Sequence, residues 1–491
     1  MKYISTRGGC DGVSSAYAIK KGLCADGGLY MPEAIPQLTA QELKELCGKD
    51  YAGRAEAILN KYLDDFGPEL IHSLCQKAYS PERFGNNPVP VIPVGDRLSV
   101  MELWHGPTCA FKDMALQMTP LLLSNALAIT GEKRTACVLV ATSGDTGKAA
   151  LEGYRDVPQT KIIVFYPKNG VSCMQKLQMD TQEGNNVAVY SINGNFDDAQ
   201  SAVKSIFSDA ELNKAIENTA FLSSANSINW GRLVPQIAYY VSSYCDLVSS
   251  GKISMGENVN FAVPTGNFGN IFAGYLAKRM GLPIRCLICA SNTNNILSDF
   301  LKTGIYNRER RFYQTMSPSM DILISSNLER LLYLLAGCEE TKNYMTLLST
   351  QKKYSVLSCV KAKLDKTFFG GWCDESMTAQ TIKTTFSEYK YLCDPHTAVA
   401  MKTAREYMRQ SGDSSYMVVA STASAYKFPA SVYSSLTNKS VSDEFEAVKL
   451  LSEFTDTEIP KPIASLISKS IRFNETLSKE SMSAAVLNLL G

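Results

Sequence analysis

The feature that most constrains the fold is a short apolar run, followed by a loop of small or polar residues and then by a helical pattern. Residues 259–263 form such a run, the loop 264–270 follows it, and residues 271–280 have helical spacing. Short apolar runs are typical of strands buried on both faces of a sheet. Strands that alternate with helices predict right-handed β-α-β units and therefore parallel sheets. The sequence thus predicts an α/β protein with mainly parallel sheets flanked by helices.

The same order recurs elsewhere in the chain. Further strands are predicted at residues 137–142, 161–166, 187–192 and 416–420, and helices at 148–155 and 196–207. In open parallel sheets, ligands bind at the loops that leave the carboxyl ends of the strands. The functional site is therefore expected at the loops 143–147, 264–270 and 421–424.

The ends of the chain have a different pattern from the middle. Residues 1–90 are predicted to form a mostly helical N-terminal domain that ends in a proline-rich link. Residues 91–435 are predicted to hold two α/β subdomains, with a helical insertion at about 300–390. Residues 436–491 are charged, contain two prolines and are predicted to form a small C-terminal appendage.

Charge and cysteine content exclude several classes of protein. With 49 Lys and Arg against 48 Asp and Glu, the net charge of +1 favours neither nucleic acid nor an anionic membrane. No segment reaches the roughly 18 uncharged apolar residues of a membrane helix, and the start lacks the apolar core of a secretory signal. The 14 scattered cysteines are expected to be reduced thiols, which favours a cytoplasmic protein. The three histidines are far apart in sequence, so no metal site is expected.

Lys112 is a lysine in apolar surroundings. It precedes Met114, Ala115, Met118 and Leu121, which have helical spacing. Burial favours the neutral amine, which is the form that condenses with an aldehyde. The alternative is a lysine whose ammonium group reaches solvent or pairs with a carboxylate.

Two of the predicted loops suit anions. Residues 266–270, Gly-Asn-Phe-Gly-Asn, open a helix, so their backbone N–H groups can surround a phosphate. They match neither the dinucleotide motif nor the P-loop, and a tight connection is the alternative. Residues 142–147, Thr-Ser-Gly-Asp-Thr-Gly, carry hydroxyls that can hold a carboxylate, although ordinary helix capping by Ser143 or Asp145 also explains them. Together with the apolar lysine, these loops indicate a phosphorylated aldehyde cofactor, of which pyridoxal phosphate is the simplest candidate, and an amino-acid substrate.

The string of residues 102–117, Glu-Leu-Trp-His-Gly-Pro-Thr-Cys-Ala-Phe-Lys-Asp-Met-Ala-Leu-Gln, closely resembles the cofactor-lysine motif of the threonine synthases. Residues 27–33, Gly-Gly-Leu-Tyr-Met-Pro-Glu, resemble the N-terminal signature of the same family. The resemblance extends in order almost to residue 429. It includes the segments 5–8, 141–147, 166–167, 171–172, 226–229, 264–270, 318–322, 325–327 and 394–399.

This resemblance implies the fold type II class of pyridoxal-phosphate enzymes, which is similar to the β subunit of tryptophan synthase. It implies conversion of O-phospho-L-homoserine and water to L-threonine and phosphate, the last step of threonine biosynthesis. Lys112 would form the Schiff base with the cofactor. Thr422 would face the pyridine nitrogen and Asp145 the phenolic oxygen. The cofactor phosphate would be held by Gly266, Asn267, Phe268, Gly269 and Asn270.

The resemblance also implies the residues that bind the substrate. Ser143 and Thr146 would hold its carboxylate. Its phosphate would be held by Asn226, Ser227, Arg232 and Asn267. The chain departs from the family at residues 424–425, where Ser-Ala replaces the usual His-Pro.

Two other functions remain open from the sequence. A serine or threonine dehydratase would share the fold but would need no pocket for a substrate phosphate, and a catalytically inactive homologue could bind a metabolite without turnover. The expected partner is a small-molecule substrate, with no nucleic acid and no membrane. The sequence leaves open whether the chain is a monomer or a homodimer.

Overall fold

The structure is a computed structural model that describes residues 1–142 and 144–490. Most of its strands lie in two parallel-stranded sheets, and two small antiparallel pairs stand apart from them. The strands are β1 (Tyr3–Ser5), β2 (Tyr30–Pro32), β3 (Val91–Gly95), β4 (Leu98–Glu102), β5 (Thr135–Ala141), β6 (Thr160–Pro167), β7 (Val187–Ile192), β8 (Ala220–Ser224), β9 (Val259–Pro264), β10 (Ile284–Ser291), β11 (Ile305–Asn307), β12 (Lys353–Ser355), β13 (Phe368–Trp372), β14 (Tyr416–Ser421) and β15 (Thr476–Leu477).

Helices connect the strands and cover both sheets. In the first half of the chain they are α1 (Ser15–Lys21), α2 (Ala40–Cys47), α3 (Tyr51–Tyr62), α4 (Pro68–Ala78), α5 (Pro81–Phe84), α6 (Lys112–Leu116), α7 (Thr119–Ile129), α8 (Asp145–Tyr154), α9 (Cys173–Asp180), α10 (Phe196–Ser208), α11 (Ala210–Ile216), α12 (Trp230–Leu233) and α13 (Ile237–Ser249). In the second half they are α14 (Gly269–Arg279), α15 (Ile296–Thr303), α16 (Leu328–Ala336), α17 (Cys338–Thr350), α18 (Ser358–Asp365), α19 (Glu375–Tyr389), α20 (Pro395–Ser411), α21 (Pro429–Thr437), α22 (Glu444–Thr455), α23 (Lys461–Ala464) and α24 (Met482–Leu490).

The larger sheet has six strands in the order β13-β10-β9-β14-β4-β3. All neighbours are parallel except β3, which pairs antiparallel with β4 at one edge. Every residue of β9 and β14 is buried, as expected for central strands covered by helices on both faces. The adjacent strands β9, β14 and β4 therefore deliver three loops to one point on the sheet.

The smaller sheet has five parallel strands in the order β15-β7-β6-β5-β8. Helix α8 packs on β6, and α10 packs on β5 and β6. The first four of these strands in chain order come from residues 135–224, whereas β15 comes from the end of the chain. The predicted mainly parallel sheets flanked by helices are thus confirmed.

The segment at about 300–390 differs from the helical insertion expected there. It contains α16 to α19, but also the antiparallel pair β11 and β12 and the edge strand β13 of the larger sheet. Strand β13 contains Gly370 and Gly371, which have no side chain. Its sequence therefore lacks the continuous apolar run that predicts a buried strand. A Cβ on Gly370 would lie 2.9 Å from the carbonyl oxygen of Ser298, so glycine permits α15 to pack closely on this strand.

The ends of the chain pack against the two sheet regions. Helices α2 and α3 pack on α13, and α1 packs on α7. The segment predicted as a C-terminal appendage places α22 on α21, adds β15 to the edge of β7, and lays α24 against α10 and α11. Among the described residues, no helix is long and apolar enough to cross a membrane.

Candidate active site

Lys112 begins α6, just after the loop that leaves the carboxyl end of β4. Its side chain is buried, and Nζ donates a hydrogen bond of 3.1 Å to Oγ of Ser319. Nζ also lies 3.5 Å from Oδ2 of Asp145, at the start of α8 on the smaller sheet. Burial lowers the pKa of Lys112, the Asp145 carboxylate opposes this, and the charges of Lys427 and Arg232 add to the lowering. The neutral amine is therefore more accessible at Lys112 than at an exposed lysine.

Asp145 is shared by two lysines. Its Oδ1 lies 2.7 Å from Nζ of Lys427 and accepts a hydrogen bond of 3.1 Å from Nε2 of Gln175, while Oδ2 faces Lys112. Burial alone would raise the pKa of Asp145, but the charges of Lys427 and Lys112 lower it well below its usual range. Asp145 is therefore an ionised carboxylate, although its side chain is buried.

Thr422 lies beside Lys112 because two segments run antiparallel at the ends of β4 and β14. The N–H of Phe111 donates to the carbonyl of Thr422 at 2.8 Å, and the N–H of Ser424 donates to the carbonyl of Cys109 at 3.1 Å. Ala110 and Ala423 form the bridge between these bonds. The predicted partner of the pyridine nitrogen and the predicted cofactor lysine are thus brought together.

The loop 264–270 makes a sharp turn into α14. Phe268 has a left-handed backbone with φ of 63°, and no side chain caps the helix, so N–H groups of its first turn remain available. A Cβ on Gly266 would lie 2.8 Å from the carbonyl oxygen of Ser319, so only glycine allows the turn Pro318–Met320 to approach. An uncapped helix start with its positive dipole end is suited to a phosphate.

Asn270 lies in that first turn and has an unsatisfied donor. Its Oδ1 accepts hydrogen bonds of 2.7 Å from the hydroxyls of Tyr239 and Tyr240. Its Nδ2 is buried, and among the described residues no partner binds it. Because a buried amide donor without a partner is costly, Asn270 fits a site that a ligand oxygen completes. The residues of this loop therefore fit the phosphate of the cofactor.

Arg232 is a buried cation in α12. Only 6% of its surface is exposed, and Nη1 donates to the carbonyl of Ala225. Among the residues that the structure describes, no carboxylate pairs with it, and burial lowers its pKa to about 10. Its charge also acts on Lys112. A buried guanidinium without an acid is suited to a ligand anion beside Lys112.

A polar cluster lies next to Arg232 in the chain. Oγ of Ser227 lies 3.2 Å from Oγ of Ser326 and accepts a hydrogen bond of 3.2 Å from Nδ2 of Asn327. Ser326 donates to Oδ1 of Asn267 at 3.3 Å, and Ser227 donates to Oδ1 of Asn226 at 3.3 Å. The structure therefore brings together Asn226, Ser227 and Asn267, which were predicted to hold one phosphate.

The structure says little about the two residues that were predicted to bind the substrate carboxylate. Thr146 is the second residue of α8, half-buried and adjacent to Asp145. Ser143 lies outside the described residues. Their predicted contact with the substrate carboxylate stays a prediction.

Several residues of this site were not predicted from the sequence. The hydroxyl of Ser319 accepts a hydrogen bond from Nζ of Lys112. The N–H of Ser319 donates to Nε2 of His396 at 3.2 Å, and Nδ1 of His396 lies 2.6 Å from Oδ2 of Asp394. Lys427 was also missed. It lies between Tyr426 and Phe428, and a lysine among apolar neighbours is the kind of signal that singled out Lys112.

Three families of known proteins match this chain. The family described as "Threonine synthase N terminus" matches residues 2–79, "Pyridoxal-phosphate dependent enzyme" matches residues 88–354, and "Threonine synthase, C-terminal" matches residues 397–485. Together these matches cover most of the chain, including Lys112, Asp145, the loop 264–270 and Thr422.

Individual relatives are similar over most of this chain. "Threonine synthase-like 1" of Homo sapiens is 38% identical over 439 residues, which are 87% of this chain but only 58% of that protein. "Threonine synthase" of Pseudomonas aeruginosa is 38% identical over 437 residues, 88% of this chain and 90% of that protein. The crystal structure of threonine synthase from Brucella melitensis with bound pyridoxal phosphate has a TM-score of 0.89 at 36% identity, and covers 100% of this chain and 99% of that one.

Proposed function

Because this chain belongs to the threonine synthase family of pyridoxal-phosphate-dependent enzymes, we propose that it converts O-phospho-L-homoserine and water to L-threonine and phosphate. Its sheets have the fold type II architecture that the resemblance implied. The substrate, its binding residues and the whole protein's activity are the proposed parts.

One observation carries the choice of a phosphorylated substrate. Arg232 is buried, has no carboxylate partner in the described part of the chain, and binds the carbonyl of Ala225, which directly precedes Asn226 and Ser227 in the chain. A guanidinium can bind two phosphate oxygens at once, and the dry surroundings strengthen that contact. A serine or threonine dehydratase acts on a substrate without phosphate, so this buried charge would serve no purpose there.

We assign the cofactor to the residues whose geometry suits it. Residues 266–270 would hold its phosphate at the start of α14, through N–H groups and the free amide donor of Asn270. Thr422 would lie toward the pyridine nitrogen and Asp145 toward the phenolic oxygen, and Lys112 would carry the cofactor covalently. When bound, pyridoxal phosphate withdraws electrons from the substrate carbon that loses a proton. A neutral hydroxyl at Thr422 moderates this effect because it does not impose a positive charge on the ring.

Lys112 is the group that moves protons. With the substrate in place, Nζ of Lys112 would be a free amine in a site where burial lowers its pKa. Nζ could then accept the α-proton of the substrate, and it must release that proton before it can accept a β-proton. Ser319 holds Nζ by its hydroxyl, and His396 holds the backbone of Ser319. The hydroxyl of Ser319 therefore positions the amine of Lys112, and His396 in turn positions Ser319.

The remaining groups bind the ends of the substrate. Arg232, Asn226, Ser227 and Asn267 hold the phosphate at the γ-carbon, where it leaves as inorganic phosphate. Ser143 and Thr146 hold the carboxylate at the start of α8, whose N-terminus favours an anion. Water supplies the hydroxyl that ends on the β-carbon.

The deciding experiment is to measure phosphate release and threonine formation together with purified protein, pyridoxal phosphate and O-phospho-L-homoserine. We expect one threonine for each phosphate released. The control is the same protein with L-serine or L-threonine, because a dehydratase would convert these to keto acids. Keto acid formation without threonine would replace the proposed function by a dehydratase, and cofactor binding without any turnover would indicate a metabolite-binding protein.

We also propose a cytoplasmic location and a small-molecule substrate as the main partner. All 14 cysteines are unpaired in the structure, as expected for a reducing compartment. Fractionation of cells that express the full-length protein tests the location.

A further inference from the structure

Lys427 is a buried lysine that the proposed roles do not use. It ends the short 3-10 turn Ala425–Lys427, and its side chain is 0% exposed. Its Nζ lies 2.7 Å from Oδ1 of Asp145 and donates a hydrogen bond of 3.0 Å to the carbonyl of Thr108. A fully buried lysine is rare unless it is paired. This one is paired with a carboxylate of the active site.

Lys427 and Lys112 compete for the same carboxylate. The distance from Asp145 to Nζ of Lys427 is 2.7 Å, whereas the distance to Nζ of Lys112 is 3.5 Å. One carboxylate neutralises one ammonium group, so a second ammonium in this dry site would carry an uncompensated charge. Asp145 therefore compensates the closer ammonium group, Lys427, more fully than that of Lys112.

Given the proposed function, in which Lys112 carries the cofactor, we propose that Lys427 is a positioning residue that holds Asp145 by Oδ1 and thereby leaves Lys112 as the free amine. In the same position, Lys427 compensates the negative charge that Asp145 presents to the phenolic oxygen. It acts through Asp145, because its Nζ binds that carboxylate and the carbonyl of Thr108.

The other charged groups around Lys112 do not have this arrangement. Arg232 faces it from α12 but pairs with no carboxylate in the described residues. Asp113 follows it on α6, where its carboxylate accepts hydrogen bonds from the N–H and hydroxyl of Thr108, and burial raises its pKa to about 6. His396 reaches only the backbone N–H of Ser319. Apart from Lys112 itself, Lys427 is the only one of these groups that pairs with Asp145.

Removal of the charge on Lys427 should raise the pKa of Lys112, for two reasons. The repulsion between the two cations disappears, and Asp145 becomes free to pair with Lys112. Both changes raise the pKa of Lys112, so its ammonium form persists to higher pH. Removal of Asp145 should have the opposite effect, because Lys112 then loses its carboxylate and keeps the repulsion from Lys427.

The test measures cofactor attachment and not turnover. The full-length protein is freed of cofactor, mixed with pyridoxal phosphate at a series of pH values, and reduced with borohydride after short times. Mass spectrometry of the peptide that contains Lys112 gives the initial rate of labelling. This rate rises with pH to a plateau, and its midpoint reports the pKa of the amine.

We expect the midpoint to move upward by about one pH unit or more in Lys427→Met and downward in Asp145→Asn. Lys427→Arg keeps the charge and should keep the wild-type midpoint. Lys148→Met is the matched control, because Lys148 is a buried lysine in α8 that pairs with Glu152 and not with Asp145. It should leave the midpoint unchanged.

An unchanged or lowered midpoint in Lys427→Met overturns the role of Lys427, as does an equal shift in Lys427→Arg or Lys148→Met. Thermal unfolding shows whether each variant is folded. If Lys427→Met does not fold, the midpoint of Asp145→Asn decides, and an upward or absent shift overturns the role. If wild-type Lys112 takes no label at any pH, the proposed function fails and not the role of Lys427.

Discussion

Two arginines of this protein are equally buried but differ in their partners. Arg54 of α3 and Arg232 of α12 each have 6% of their surface exposed. Arg54 forms an ion pair of 2.6 Å with Asp246 of α13, and donates to the hydroxyl of Ser242 at 2.9 Å. Arg232 donates to one carbonyl, and among the described residues it has no acid.

The difference separates a buried charge whose carboxylate partner belongs to the packing of two helices from one that has no carboxylate partner in the described residues. The packing of α3 on α13 needs a charge whose partners are complete, because an unpaired buried charge is costly. At Arg232 that cost is present in the structure, and in the proposed function the substrate phosphate supplies the missing anion. Lysines follow the same rule, since Lys148 has Glu152 as its partner whereas Lys112 shares Asp145 with Lys427.

The largest effect is expected at Lys112, the proposed cofactor lysine. Lys112→Ala should reduce threonine formation by about 10²–10⁴-fold or more, because it removes both the proton-transfer group and the covalent attachment. The free energy of unfolding should change little. Borohydride reduction and peptide mapping of the wild type should label Lys112, and a label on another lysine would contradict the assignment.

The next largest effect is expected at Arg54, and it should fall on stability. Arg54→Ala leaves Asp246 without its cation, which should cost about 3 kcal/mol of unfolding free energy. Burial raises the pKa of Asp246, and Arg54 opposes this rise. Without Arg54 the ionised form is disfavoured further, so the stability deficit should be largest near neutral pH and should shrink as the pH falls toward the pKa of Asp246.

Urea unfolding of Arg54→Ala at neutral and acidic pH checks this prediction. The activity per folded molecule should match the wild type at saturating cofactor. A variant that is stable but inactive would place Arg54 in the functional class and would remove the contrast with Arg232.

A smaller effect is expected at Arg232, and it should fall on the substrate. Arg232→Ala should cost about 1.5–3 kcal/mol of transition-state binding, or about 10–150-fold in kcat/KM for O-phospho-L-homoserine. Stability should not fall, because an uncompensated buried charge is removed. Arg232→Lys is the control that keeps the charge and loses the two-pronged contact. Equal losses of cofactor and substrate affinity would instead place Arg232 at the cofactor phosphate.

The smallest effect is expected at Thr422, a neutral group of the cleft. Thr422→Ala should cost about 0.5–1.5 kcal/mol of cofactor binding, measured by fluorescence or absorbance titration. Thr422→Asp should change the visible spectrum and the ratio of products, because a carboxylate favours the protonated ring. Unaltered cofactor affinity in Thr422→Ala would separate this residue from the cofactor.

Local signals allowed much of the fold to be predicted from the sequence. The strands near 137–142, 161–166 and 259–263 are correct to within about two residues, because each is an apolar run that needs no distant partner to be seen. The strand β13 was missed because two glycines interrupt its pattern. The pairing of β15 with β7 depends on two residues far from that sheet in sequence.

The site shows the same division between local and distant information. Lys112 and the loops 142–147 and 264–270 were found because each is a continuous motif. The contacts of Asp145 with Lys427, and of Lys112 with Ser319, join residues that are hundreds of positions apart. Which carboxylate a buried lysine shares is a property of packing, and no pattern along one chain encodes it.

The pairing of β15 with β7 has a consequence for biosynthesis. Strand β7 is complete once residue 192 has left the ribosome, but its outer edge stays open until residues 476–477 arrive. At about 5–20 residues per second, this delay is on the order of tens of seconds. An open parallel strand edge is a template for pairing with other chains. The nascent protein therefore carries an aggregation-prone edge for much of its translation, and dependence on chaperones should be greatest for chains truncated before β15.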